Sequence, residues 1–450
     1  MQLTAHAGKA WKVIICLGLP VFLFALLRDM HYTKEYPGDL RNRIVGARII
    51  GDGHSPYFYK WKEGDGLRYY DPDNFDTLKP AVMTSTPFMH RLLLPIANTP
   101  QAQIAQYWLV LEYLLLTGMA IFAFCCAGSG GQRTTVIAVA LLFLLTNAWK
   151  CQVSHGQYYL LIAAFGMLFY ASMQHQKSVG WALIGGTAAA CMILIRPYAI
   201  LFLIPLALSA RGFSRRWLIA GLIPGVLLAG WILTSSWELD LWKDYAHMLQ
   251  EQLKVHQDLP HEVRHNTPDP HYRYWEGLDM SAVNDQMRHT WSPVYSENGN
   301  VFVLYRLLLH RKLPVIALSL LCLTTILGLT ALWHFLRRSS GEKDITRMAI
   351  FGFCLYMIAD LFSPIYRHQY YTVQWIFPLL LAAAIWSPQR IRWYGVLLAG
   401  LLLSIIHLPF VKMGNTIGEY VILLALLAIS LLPGTPANQD LQPASLSQIA

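Results

Sequence analysis

Long apolar runs separated by short polar junctions dominate the chain. They follow neither the strict alternation of a half-buried strand nor the narrow stripe of a surface helix. At roughly 20 residues per membrane crossing, they predict about twelve helical spans. These lie near 12–28, 104–127, 134–150, 156–174, 179–195, 197–210, 216–235, 313–336, 346–363, 370–387, 392–411 and 416–433. The 197–210 run is short and starts at Pro197, which fits either a short span or a re-entrant segment. Two long polar stretches interrupt the series, at 29–103 and 236–312. Residues 1–433 therefore form a single membrane domain, and 434–450 a polar tail that carries no readable signal.

The first polar stretch predicts helices of its own. After Asp39, the apolar Leu40, Ile44 and Ala47 fall at i, i+4 and i+7, with Arg41, Arg43 and Arg48 on the other flanks. That spacing predicts a short amphipathic helix lying in the membrane interface. Its arginines would either snorkel to lipid phosphates or hold one specific phosphate bidentately. The segment from Thr86 to Pro95 is apolar and bracketed by prolines, predicting a second interfacial helix, whereas Trp61 to Lys79 reads as irregular loop.

Composition agrees with the spans. The chain has 450 residues, 55% of them hydrophobic and 14% charged, against roughly 25% charged in an average soluble domain. Lys9 and Lys12 precede the first apolar run, which ends at Arg28-Asp29 with no small-residue cleavage site, as expected of a retained anchor. The net charge of +9 is spread over short loops instead of forming a patch, so no nucleic-acid partner is expected. Seven cysteines, mostly inside apolar runs, give neither metal spacing nor a disulfide framework. His261 and His265 stand at i, i+4, but Pro260 and Pro268 crowd them and no HExxH occurs, so no metal is expected.

Short-loop charges set the orientation. With a cytoplasmic N-terminus, Arg133, Lys177, Arg211, Arg215, Arg216, Arg337, Arg338, Lys343, Arg347, Arg390 and Arg392 gather on the inner side. Both long stretches and three junctions (150–157, Arg196-Pro197 and 363–371) then face outward. Asp39, Arg41, Arg43, Arg91, His155, Gln157, Arg196, Asn298, Asn300, Arg367 and His368 all land on that outer face. Arginines there run against the topological preference, which an anionic ligand at the outer surface would offset.

A sugar carried on a polyprenyl phosphate presents such an anion at membrane level. Phosphate leaves without needing a proton, so the site needs cations for it; arginine stays charged and binds it in a fork. The acceptor hydroxyl needs one base, and a carboxylate can serve; Asp39 is the candidate. Single-displacement attack would invert the anomeric carbon. No nucleotide-binding loop is visible, which fits a lipid-linked donor.

In these features the chain resembles the GT-C superfamily of membrane glycosyltransferases, and most closely glycosyltransferase family 87, the polyprenyl-phosphate-mannose-dependent α-mannosyltransferase-like proteins. The resemblance runs over roughly residues 35 to 390. It rests on Asp39 with Gly53-His54-Ser55-Pro56-Tyr57, Pro87 through Pro95-Ile96-Ala97, His155-Gly156-Gln157, Arg196-Pro197, Glu297-Asn298-Gly299-Asn300, and Ser363-Pro364 to His368. It implies an all-α polytopic bundle with interfacial helices in two long outer loops. It also implies a catalytic Asp39 and a contribution from His368. Arg41, Arg43, His155, Gln157, Arg196 and Arg367 are the further candidates for donor phosphate or substrate, with no metal and no cofactor.

The expected reaction is transfer of mannose, or another hexose or pentose, to a lipid or glycan acceptor. The expected place is the outer, periplasmic-side face of the cell (inner) membrane, in contact with membrane lipids. Two alternatives stand. A transporter or flippase of a polar lipid would place charges near the midplane and repeat its halves; here Glu112 and Asp360 read as lying near span ends and no repeat is evident. A polymerase or ligase of lipid-linked glycans would share the outer arginines.

Overall fold

The computed structural model describes residues 2–34, 37–59, 61, 64–71, 83–257, 259–260, 274–275, 278–279, 299–340, 344–365, 367–406 and 413–432. In chain order the helices are α1 (Gln2–Lys34), α2 (Gly38–Gly51), α3 (Pro87–Leu93), α4 (Gln101–Cys126), α5 (Gly130–Leu144), α6 (Asn147–His155), α7 (Tyr159–Gln174) and α8 (Val179–Ile195). They continue as α9 (Ile204–Leu208), α10 (Arg215–Thr234), α11 (Ser236–His256), α12 (Val301–Leu309), α13 (Val315–Ser340), α14 (Ile345–Leu361), α15 (Ile376–Ala384), α16 (Ile391–Ile405) and α17 (Gly414–Leu431). Single 3-10 turns at Leu94–Ile96, Pro197–Leu203 and Gln369–Trp375 join some of them. The strands among the described residues are one two-residue antiparallel pair, β1 (Tyr274–Trp275) with β2 (Leu278–Asp279).

Among the described residues helix underlies every apolar run, and the protein is all-α. Four helices among the described residues are long and apolar enough to cross a membrane: α4, α10, the Val315–Leu336 part of α13, and α17. A fifth results if α5 and α6, bent by 56° at their junction, count as one crossing. Local chemistry makes that bend. Thr146 leaves helical geometry and its side chain accepts from the Trp149 amide, so it caps a new helix inside an otherwise continuous apolar run.

The core centres on α14 and α15. Every residue of α15 is buried, and α14 is buried along nearly its whole length. Phe353 and Phe377 pack edge to face there, with Phe202 from the 3-10 turn against both. By contrast α10 and α13 leave Leu222, Val226, Leu227, Ile316, Leu320 and Leu327 exposed, apolar surface that hydrocarbon can cover without loss.

Two expectations about charges inside helices are corrected. Glu112 lies mid-way along α4, not near its end, where it is buried and accepts from Gln152 Nε2 at 2.8 Å. Asp29 does not close the first helix, which continues to Lys34. It is fully buried and accepts from Arg28 Nε at 2.8 Å, Tyr113 OH at 2.8 Å and Trp149 Nε1 at 2.7 Å. Several donors together meet the cost of burying that carboxylate.

The helix carrying Asp39 also departs from expectation. Instead of lying on the interface, α2 has all eleven residues from Leu40 to Ile50 buried. It is enclosed by α3, the Leu94–Ile96 turn and α6. Two of its polar side chains find protein partners. Asn42 donates to Asp71 at 2.5 Å, and Arg48 to the carbonyls of Ala97 at 2.6 Å and Arg68 at 3.2 Å. Protein acceptors remove the reason to snorkel. The two long polar stretches fold together over this helix: Val45, Ile49, Tyr57, Phe58, Trp61, Tyr70 and Met83 share a small core with Tyr245 and Met248 of α11. An ion pair between Arg91 of α3 and buried Glu238 of α11 fastens them.

Candidate functional site

The site is built where α6 stops. Gly156 takes a left-handed conformation (φ 60°), closing the helix, and a Cβ there would meet Leu40 Cβ at 2.6 Å. Only glycine satisfies both demands. The turn sets Gln157, fully buried, against the start of α2; its carbonyl accepts from Trp108 Nε1 at 3.0 Å and from Gln152 Nε2.

The Gln157 amide joins the two chemical groups of α2. Its Nε2 donates to Asp39 Oδ2, and its Oε1 accepts from Arg43 Nη2 at 2.6 Å. The orientation is unambiguous, because a guanidinium only donates and a carboxylate accepts. Arg43 also donates from Nε to Ser85 Oγ at 3.1 Å and lies 4.7 Å over the Tyr158 ring. Burial alone disfavours that cation, but Asp39 leads the groups that outweigh it, so its pKa lies above the usual value. Among the described residues, Arg43 Nη1 is enclosed and has no acceptor. Asp39 itself is half-buried.

From Arg43 a row of aromatic rings leads to a second guanidinium. Tyr158 stacks on Tyr159 at 4.6 Å, and Tyr159 meets Tyr371 at 4.2 Å and Tyr370 at 5.6 Å. Arg196 lies 4.5 Å from the Tyr371 ring, 4.7 Å from Tyr159 and 5.6 Å from Tyr198, and donates to the Tyr159 hydroxyl. Among the described residues its Nε is enclosed without an acceptor. The exposed rings of His155 and His368 flank Tyr370 at 5.6 and 5.1 Å and form the rim.

Comparison of the chain with protein families, curated proteins and solved structures gives no significant match.

The sequence-derived candidates fall into two sets. Asp39, Arg43, Gln157, Arg196, His155 and His368 meet along one line of contacts. Arg367 lies behind that line, 5.5 Å from the Tyr371 ring, and its donors are taken: it donates to Asp360 at 2.5 Å and to both oxygens of Glu419 at 2.6 Å. A guanidinium shared by two buried carboxylates is neutralised and holds structure, so Arg367 is set aside as a phosphate ligand. Arg41 is buried in α2. Asn300 ties α12 to the 363–365 turn, donating to Ser363 O at 3.0 Å and Ile365 O at 2.7 Å. Among the described residues no cluster of His, Cys, Asp or Glu is arranged for a metal; His261, His265, Glu297, Asn298 and the 434–450 tail lie outside them.

Sequence reasoning missed Tyr245 and Glu419. Tyr245 of α11 stacks near Tyr57 at 5.6 Å and lies within electrostatic reach of Tyr158, Arg196 and Tyr371. Its signal was the apolar stripe of α11 within a stretch read as loop. Glu419 was visible as an acid inside the last apolar run, a costly placement that calls for a buried cation.

Proposed function

We propose that the chain is an inverting membrane glycosyltransferase that moves a sugar from a polyprenyl phosphate to a hydroxyl acceptor. The observation that carries the reading is the Asp39–Gln157–Arg43 unit. It holds a half-exposed carboxylate in one orientation beside a buried guanidinium with an unused donor. In this reading Asp39 accepts the acceptor's proton as its oxygen attacks the anomeric carbon, and the departing phosphate keeps the bonding electrons. Arg43 and Arg196 meet the phosphate charge, their low-dielectric surroundings strengthening each contact. Gln157 fixes the carboxylate, and His155 and His368 stand at the mouth.

The fold that accompanies this reading is a GT-C type bundle of about twelve crossings, the shorter helices completing the set, in the cell (inner) membrane. In this reading the site lies on the outer face, which the basic residues of the opposite short loops support. The sugar (mannose or another hexose or pentose) and its lipid or glycan acceptor follow from the same reading, with no metal or cofactor required.

Glu112, an acid in mid-helix, favours the competing transporter reading. Its contact with Gln152, which also donates to the Gln157 carbonyl, makes it instead part of the scaffold under Asp39. Purified protein in proteoliposomes separates the two. Transfer of radiolabelled sugar from a prenyl-phosphate donor to a product, without donor crossing the bilayer, supports the transferase. Donor translocation without sugar transfer overturns it.

A further inference from the structure

Three tyrosine hydroxyls around this site do nothing for the fold. Tyr158, Tyr245 and Tyr370 are 4%, 9% and 9% exposed. Buried tyrosines ordinarily give their hydroxyl a hydrogen-bond partner, as Tyr57 does to the Ser85 carbonyl at 2.7 Å and Tyr356 to Gln374 Oε1 at 2.5 Å. Among the described residues these three hydroxyls have none. Nor do they belong to the enclosed atoms that lack partners, so each opens onto accessible space.

All three border the same row of rings. Tyr158 and Tyr370 stack on Tyr159 at 4.6 and 5.6 Å, and Tyr245 lies within electrostatic reach of Tyr158, Arg196 and Tyr371. Three separate parts of the chain thus supply them: the α6–α7 junction, α11, and the Gln369–Trp375 turn. Tyr245 owes its place to the fastening of α11 on α3 by Glu238 and Arg91. Tyr158 and Tyr370 are stacked in the row and Tyr245 packs edge-on against Trp242, and side chains held in this way lose little entropy in presenting their hydroxyls.

We propose that the Tyr158, Tyr245 and Tyr370 hydroxyls form a subsite for a neutral polyhydroxylated ring, the sugar of the donor, distinct from the guanidinium contacts to its phosphate. Unpartnered phenols both donate and accept, which suits a ring of vicinal hydroxyls. The aromatic faces beside them suit its C–H surface. A phosphate alone would gain little from phenols and everything from Arg43 and Arg196. This inference rests on the glycosyltransferase reading.

The test measures binding, with no turnover required. Wild-type protein in nanodiscs is titrated with undecaprenyl phosphate and with its mannosyl, glucosyl, galactosyl and arabinosyl derivatives. The same titrations follow for Tyr158→Phe, Tyr245→Phe and Tyr370→Phe, which keep every ring, and for Arg43→Gln. At least one sugar should tighten binding over the bare lipid phosphate. Each Phe variant should lose about 5- to 10-fold of that gain, on the scale of one lost hydrogen bond, without changing affinity for undecaprenyl phosphate. Arg43→Gln should weaken both kinds of ligand. Should no sugar add affinity, or should the Phe variants bind all ligands as wild type does, the subsite is overturned while the phosphate site stands. Absence of binding by any of these lipids overturns the glycosyltransferase reading itself.

Discussion

Arg367 and Glu419, 52 residues apart, form a bidentate pair with both nitrogen–oxygen distances at 2.6 Å, each side chain 2% exposed. Asp360 takes the remaining Nε at 2.5 Å, and Glu419 also accepts from Trp375 Nε1 at 2.7 Å and Thr372 Oγ1 at 3.1 Å. The last helix thereby grips the turn that presents Tyr370 and Tyr371.

Breaking that network from one side leaves a buried charge uncompensated. Arg367→Met, which strands both Asp360 and Glu419, should lower stability by about 3–5 kcal/mol, read as a large fall in detergent melting temperature. Replacing Arg367, Asp360 and Glu419 together by apolar residues of similar size should restore much of it. Additive losses in the triple variant would contradict the pairing.

Gly156→Ala tests the turn under the site. The left-handed φ and the approach to Leu40 both oppose a Cβ, and the strain should cost on the order of 1–3 kcal/mol. Because Gln157 follows directly, transfer should fall by up to about 100-fold from misplacement of Asp39, more than the stability loss accounts for. Gly53→Ala is the control: its φ is also positive, but nothing lies near its Cβ. It should share the backbone strain and keep wild-type turnover.

His90 supplies a pH dependence. It is buried, donates from Nδ1 to the Arg43 carbonyl at 3.1 Å, and leaves Nε2 without a partner. Burial, aided by the nearby Arg43 charge, pushes its pKa down to about 4, below the ordinary 6.5. Below pH 6.5 the unfolded imidazole binds a proton that the folded one refuses until about pH 4. Stability is therefore full above the higher value and falls with pH across this window, by on the order of 3 kcal/mol in total. Denaturant melts from pH 4 to 7 should show the slope, and His90→Asn should flatten it. An unchanged slope would show that other groups carry it.

Much of the helical order could be read from the apolar runs, because a continuous apolar helix needs no partner to announce itself. The junctions that gather around Asp39 were legible as polar clusters at span mouths. What could not be read was pairing. Arg367 looks like a free cation until Glu419 is folded against it, and Arg43 looks like a lipid anchor until Gln157 and Ser85 are seen to receive it. The bend at Thr146 depends on one side-chain cap inside an apolar run. Tyr245 reaches the site only because the two polar stretches share a core.

Asp39→Asn removes the proposed base and leaves the rest of the site in place. The amide keeps the size and can still contact Gln157 but cannot take a proton. With membrane insertion confirmed, initial rates of sugar transfer from prenyl-phosphate donors are compared with wild type. The Asn variant should show a fall in kcat of about 10²–10⁴, with donor affinity changed far less. Turnover within a few-fold of wild type would contradict the assignment of Asp39 as the base.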